Sequence, residues 1–206
     1  MPDHPHAFSG AASCALNLCD WERGTALAAG LQAHVAGKRS IISAFVLLGY
    51  SSDPALQLQC SRNFIEHRVP TLPPPLWTGQ TWHHDKIRVA YLSADFRTHA
   101  TSFLMAELFE RHDRSRFEFT AVSFGADDNS PMRRRLVASF DHFEDVQRQS
   151  DREVAQLLFD RQIDIAIDLK GYTQDSRPGI LSYRPAPIQV SYLGYPNTTG
   201  LAAIDY

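Results

Sequence analysis

Ile87-Arg88-Val89-Ala90-Tyr91-Leu92-Ser93-Ala94-Asp95-Phe96-Arg97-Thr98-His99-Ala100-Thr101-Ser102-Phe103-Leu104-Met105 is the stretch on which the fold turns. Residues 87–92 read as a strand. Residues 93–102 are small and polar, as a loop should be. From Ala100 to Arg111 the spacing predicts a helix, with Leu104, Met105, Leu108 and Phe109 sharing one face. Strand, polar loop, helix is the opening of a βαβ unit, and the chain repeats it. Phe117–Phe124 is a second strand. Ser130-Pro131 starts a helix, with Ser as cap and Pro in the first turn, and Met132, Leu136, Val137 and Phe140 form its buried stripe. His142–Val146 is a short strand. Ser150-Asp151-Arg152-Glu153 carries a capping box, and Val154, Leu157 and Leu158 face inward behind it. Ile163–Leu169 is more continuously apolar, as a strand covered on both faces should be. Ile188–Leu193 is the last strand. Strands alternating with helices at this rhythm predict an α/β fold with a Rossmann-like parallel sheet.

Upstream the pattern is different. Leu16–Val35 is rich in Ala and Leu and reads as a helix interrupted by Gly24 and Gly30. Asp53-Pro54 starts another, whose apolar positions Leu56, Cys60, Phe64 and Ile65 recur at helical spacing. Pro73-Pro74-Pro75 cannot continue a helix and favours an extended connector. The expected organisation is a helical segment at 1–69, a proline-rich linker at 70–85 and an α/β lobe at 86–206. No repeat of fixed period is visible.

Bulk properties exclude several classes. Apolar residues make up 44% of the 206, enough for a core, and the formal net charge is only -3. That balance predicts no nucleic-acid and no anionic-membrane partner. No apolar run approaches the roughly 18 residues that span a bilayer, and Met1–Gly10 lacks the basic-then-apolar pattern of a secretory signal. Cys14, Cys19 and Cys60 have neither zinc-site nor disulfide-scaffold spacing, which fits a reducing, cytoplasmic setting.

Ligands of open parallel sheets bind outside the carboxyl ends of the strands. That rule selects Ser93–Ser102, Lys170–Arg177 and Gly194–Gly200. His99 directly precedes a helix start. It could exchange a proton with a hydroxyl, or it could simply cap the helix. The loop Gly194-Tyr195-Pro196-Asn197-Thr198-Thr199-Gly200 is tight and polar, and either presents N–H groups and hydroxyls to a sugar or phosphate or is an ordinary turn. It has no Walker lysine and no dinucleotide fingerprint. Arg184-Pro185-Ala186-Pro187 reads as structural, fixing the approach to the last strand. Arg133-Arg134-Arg135 reads as a solvated helix face. His83-His84-Asp85 lacks a convergent partner, so no metal is expected. Asp164 and Asp168 lie at opposite ends of one strand, more than about 12 Å apart at roughly 3.3 Å per residue, too far for an acid/base pair.

Several ordered motifs together resemble the protein O-GlcNAc transferase family, in its bacterial form. Ala94-Asp95-Phe96, His99, Thr101-Ser102 and Leu104-Met105 resemble the start of its catalytic region. Asp168-Leu169-Lys170-Gly171-Tyr172-Thr173 resembles a second motif. Arg184-Pro185-Ala186-Pro187-Ile188-Gln189, Leu193-Gly194-Tyr195-Pro196, Thr198–Gly200 and Ile204-Asp205-Tyr206 resemble a third, and Leu18-Cys19-Asp20-Trp21 resembles the segment joining the family's helical repeats to that region. The resemblance implies the N-terminal lobe of a two-lobed GT-B enzyme. It also implies inverting transfer of N-acetylglucosamine from UDP-GlcNAc to Ser or Thr hydroxyls, with no cofactor and no required metal. By motif position His99 is the catalytic candidate. Asp95, Thr101, Tyr172, Gly194, Pro196, Asn197, Thr198, Thr199 and Gly200 are the substrate-binding candidates. Asn197 stands where the family usually has Gly, a residue that tolerates left-handed backbone. The expected partners are the nucleotide-sugar donor, a protein acceptor, and either a second lobe missing after Tyr206 or another copy of the chain. Without that lobe little activity is expected. The alternatives are a non-catalytic binding module and a GT-B enzyme acting on another nucleotide sugar.

Overall fold

Ile87–Ser93 (β1), Phe117–Ser123 (β2), His142–Asp145 (β3), Ile165–Asp168 (β4) and Ile188–Ser191 (β5) form one all-parallel sheet in the order β3-β2-β1-β4-β5. The coordinates are a computed structural model that describes residues 4–206. Residues 1–3, part of the segment expected to be helical, lie outside the described residues. The helices are Ala7–Asn17 (α1), Trp21–Ala36 (α2), Ala44–Leu47 (α3), Pro54–Arg68 (α4), Ala100–Arg111 (α5), Pro131–Ala138 (α6), Asp151–Asp160 (α7) and Gly179–Ser182 (α8).

β1 explains why the sheet is buried on both faces. Ala90 and Leu92 join Val122, Val154, Leu158, Ala166 and Ile180 in one core cluster. Val89 and Tyr91 join Met105, Phe109, Phe119 and Leu136 in another. Successive strand residues point to opposite faces, so a strand between two helical layers needs apolar residues at every position. Burying each large side chain contributes about 1.5–3 kcal/mol. The chain runs outward from β1 to β3, then returns on the other side of β1 to β4. The strand order therefore reverses between β1 and β4, which opens a crevice beyond their carboxyl ends.

Helix starts follow the sequence closely. Asp53 Oδ1 accepts the Ala55 N–H at 2.9 Å, and Ser130 Oγ accepts the Arg133 N–H at 3.0 Å. The Ser150–Glu153 capping box closes in both directions. Several readings are corrected. Residues 16–35 are not one helix. α1 ends at Asn17, Cys19 takes a left-handed φ of 53°, and Asp20 caps α2. α5 buries Ser102, Met105, Ala106 and Phe109, while Leu104 and Leu108 are 69% and 41% exposed. Val137 is likewise exposed, and Phe140 lies past the end of α6. Arg133 is not solvated. It is buried, donates to Phe96 O at 3.0 Å and Ser123 Oγ at 2.7 Å, and sits 4.4 Å from the Phe143 ring centroid.

The chain divides into two compact units. One comprises the residues up to Thr71 together with Asn197–Leu201; the other comprises Leu72–Pro196 and Ala202–Tyr206. In the first, Ala12, Ala15, Leu31, Val35, Leu47 and Cys60 are buried. Burial pushes the Cys60 thiol up to about 12. In the second, the proline-rich stretch lies on the α/β lobe. Leu76 N–H donates to Tyr183 O at 2.8 Å, Trp77 N–H donates to Arg184 O at 2.9 Å, and the Leu76 side chain packs on the core.

Candidate functional site

The turn after β1 is built around a buried charge. Asp95 is 4% exposed, and its N–H donates to Ser93 Oγ at 2.9 Å. Ser102 Oγ–H returns a bond to Asp95 O at 2.5 Å, which ties the turn to the start of α5. The Asp95 carboxylate meets Lys170, itself buried, with Nζ 2.5 Å from Oδ2. Arg97 lies 3.7 Å from Oδ1. The Asp95–Lys170 pair spans the switch point, because Asp95 follows β1 and Lys170 follows β4. A buried pair of this kind contributes little net stability, yet removing one partner leaves an uncompensated charge.

His99 stands at the start of α5 in extended backbone, and its Nδ1 accepts the Thr101 N–H at 3.2 Å. Nδ1 also lies 3.6 Å from Asp95 Oδ2. The ring is 41% exposed and so open to a ligand. Next to it, Thr98 N–H donates to Asp128 Oδ2 at 2.9 Å, a bond that holds the Asp128 carboxyl well below the usual range.

The turn after β4 is drawn tight by Asp168, whose carboxylate oxygens accept the N–H groups of Lys170 and Gly171, each at 2.9 Å. Desolvation pushes the Asp168 carboxyl up to about 6, against the pull of those two N–H groups and of the Lys170 charge. Gly171 has a φ of +50°, and a Cβ there would stand 2.3 Å from the Tyr195 Cβ. At Gly194 a Cβ would stand 1.7 Å from Leu169 O. Only glycine lets the β4 and β5 turns approach this closely. The buried Tyr172 and Tyr195 rings then meet at 5.4 Å.

The structure thus gathers Asp95, His99 and Thr101 in one turn, and joins Tyr172, Gly194 and Pro196 through the Gly171–Tyr195 approach. All six lie beyond the carboxyl ends of the adjacent strands β1, β4 and β5. Asn197, Thr198, Thr199 and Gly200 belong to the helical unit instead. Asn197 Oδ1 accepts the Thr198 N–H at 2.8 Å. The left-handed positions of this stretch are Leu193 (φ 61°) and Gly200 (φ 62°), not Asn197, so the loop does not require glycine at 197. At the far end of β4, Asp164 accepts the Arg88 N–H and contacts His84 Nε2, both at 2.8 Å. Arg184 donates to Asp205 Oδ1 at 2.9 Å and to Pro187 O at 3.1 Å. Among the described residues no group of three His, Cys, Asp or Glu could hold a metal ion, and no helix is long and apolar enough to cross a membrane.

Lys170 is the site residue that sequence reasoning left out. Its signal was its place directly after the second motif's Asp168-Leu169, in a loop already selected by the switch-point rule. A lysine there reads as solvent-exposed until its buried partner is known.

The sheet order and the helices between its strands are those of a Rossmann-like α/β lobe. Residues 68–206 match glycosyl transferase family 41, and the chain belongs to that family. An Arabidopsis thaliana protein, the probable UDP-N-acetylglucosamine–peptide N-acetylglucosaminyltransferase SEC, is 32% identical over 92% of this chain and 21% of its own length. A Caenorhabditis elegans UDP-N-acetylglucosamine–peptide N-acetylglucosaminyltransferase is 38% identical over 59% of this chain and 11% of its own. A solved variant of the Thermobaculum terrenum O-GlcNAc transferase aligns with 100% of this chain at a TM-score of 0.75 and 25% identity. The chain spans 40% of that structure and about one fifth of the Arabidopsis protein.

Proposed function

We propose that this chain supplies the acceptor-side lobe of an inverting transferase that moves N-acetylglucosamine from UDP-GlcNAc to Ser or Thr hydroxyls of proteins. The observation that carries the reading is the convergence of three turns at one rim: His99 after β1, Gly171-Tyr172 after β4 and Gly194–Pro196 after β5, in a chain of family 41. In this reading His99 is the group that meets the reacting hydroxyl or the sugar. Asp95 and Lys170 hold its turn in place, so little reorganisation is needed when substrates bind. Thr101 supplies the N–H that orients the imidazole. The Gly194–Pro196 turn offers backbone groups to the sugar side, and a second lobe, a protein acceptor and the nucleotide sugar are the partners. The proposed organisation is a helical segment, a proline-rich connector and the catalytic lobe, in a cytoplasmic protein that needs no metal.

The test combines this chain with a family 41 second lobe supplied as a separate polypeptide. GlcNAc transfer from UDP-GlcNAc to a Ser/Thr peptide is then measured. Transfer is expected from the pair and should fall by about 10²–10³ in His99→Ala, the usual loss when one hydrogen-bond donor to the reacting groups is removed. A folded pair that transfers nothing would favour a binding module, and transfer only from a different UDP-sugar in a donor panel would replace the donor.

A further inference from the structure

Two hydrogen-bonding partners compete for His99 Nδ1, and the structure gives it one of them. The Thr101 N–H points at Nδ1 from 3.2 Å. An N–H donor needs a lone pair on the nitrogen it meets, so the ring proton belongs on Nε2. The other candidate, Asp95 Oδ2, lies 3.6 Å from Nδ1, and Lys170 Nζ already sits 2.5 Å from that same oxygen. Without Lys170, Oδ2 would have no cation at hydrogen-bonding distance, since Arg97 stands 3.7 Å from the other oxygen, Oδ1, and the buried carboxylate would draw a proton onto the nearest imidazole nitrogen to form an Asp–His pair. The charged groups around His99 are Asp95 and Arg97 from its own turn, Lys170 from the β4 turn, and Asp128, which reaches the neighbouring Thr98 N–H.

We propose that Lys170 is a positioning residue that, by holding Asp95, keeps the His99 ring proton on Nε2, so that His99 meets its ligand as a hydrogen-bond donor to an oxygen and not as a proton-accepting base. The identity of that oxygen, on the acceptor or on the sugar, rests on the transferase reading. The tautomer and its dependence on Lys170 do not.

The experiment is two-bond ¹H–¹⁵N spectroscopy of the imidazoles in the full 206-residue chain at neutral pH, with His99 assigned by His99→Gln. The wild type is expected to show a lone-pair-type Nδ1 and a protonated Nε2. In Lys170→Met, Nδ1 should shift most of the way to the protonated range, and adding Asp95→Asn should return it. That return separates proton control from a purely structural role. Should Lys170→Met fail to fold, Lys170→Gln is read in the same way. A wild-type Nδ1 that carries the proton overturns the proposal, as does a folded Lys170 variant with an unchanged His99 pattern. Loss of the transfer reading leaves this spectrum untouched, and a wrong tautomer leaves the transfer assay untouched, so the two failures are distinguishable.

Discussion

The turn after β1 buries charge, whereas the turn after β5 has none to bury: no Asp, Glu, Lys, Arg or His occurs between Tyr192 and Gly200. The first is held by a buried ion pair to a neighbouring turn and by a hydroxyl bond to the following helix. The second relies on close backbone approach at Gly194 and on local bonds such as Asn197 to Thr198. A turn fixed by a buried pair has one geometry, because any other leaves a charge in low dielectric. A turn fixed by glycine and local polar contacts is defined more cheaply, and its exposed members tolerate change.

The comparison is broken most directly at Asp95. Asp95→Ala strands the Lys170 ammonium in the interior and should destabilise the chain by about 3–5 kcal/mol, as measured by urea unfolding. A loss under about 1 kcal/mol would mean the pair is not desolvated. The next effect lies between the two turns, at Asp168. Its carboxyl is raised from 3.8 to about 6 in the folded chain. The folded state therefore holds a proton that the unfolded state has released across that window. Stability should fall as pH rises from about 4 to about 6, by on the order of 2 kcal/mol, and stay reduced above it. Asp168→Asn should remove this slope, and a slope that survives the substitution assigns it elsewhere. The smallest effect belongs to the β5 side. Thr198 is exposed, and Thr198→Ala should change stability by less than about 0.5 kcal/mol. A cost as large as that at Asp95 would erase the distinction between the turns.

Much of the fold was legible because its signals are local. Strand periodicity, the Ser130 and Ser150 caps and Asp53-Pro54 each state their structure within a few residues. The parallel sheet followed from their alternation, and the rim followed from the switch-point rule. What was hidden depends on distant partners. Arg133 looks like one of three surface arginines until Phe96 O, Ser123 and Phe143 are brought around it. Leu104 and Leu108 look like core until α5 settles with Ser102, Met105, Ala106 and Phe109 inward. α1 was missed because Ala-rich sequence continues on both sides of Cys19, and one left-handed residue is enough to break a helix there. At the site, His99 was legible as both a ligand group and a cap, and its Nδ1 does act as a cap. Lys170 was not legible, because nothing in its neighbours announces a carboxylate 75 positions earlier.

The pairing of Leu76 and Trp77 with the carbonyls of Tyr183 and Arg184 has a practical meaning for anyone isolating the α/β lobe. A protein cut to begin at Lys86 would strip two amide donors and an apolar plug from the segment that leads into the last strand. One begun at Leu72 keeps them. Leu76 and Trp77 act as a strap buckled onto the domain they introduce, and trimming them removes part of its wall.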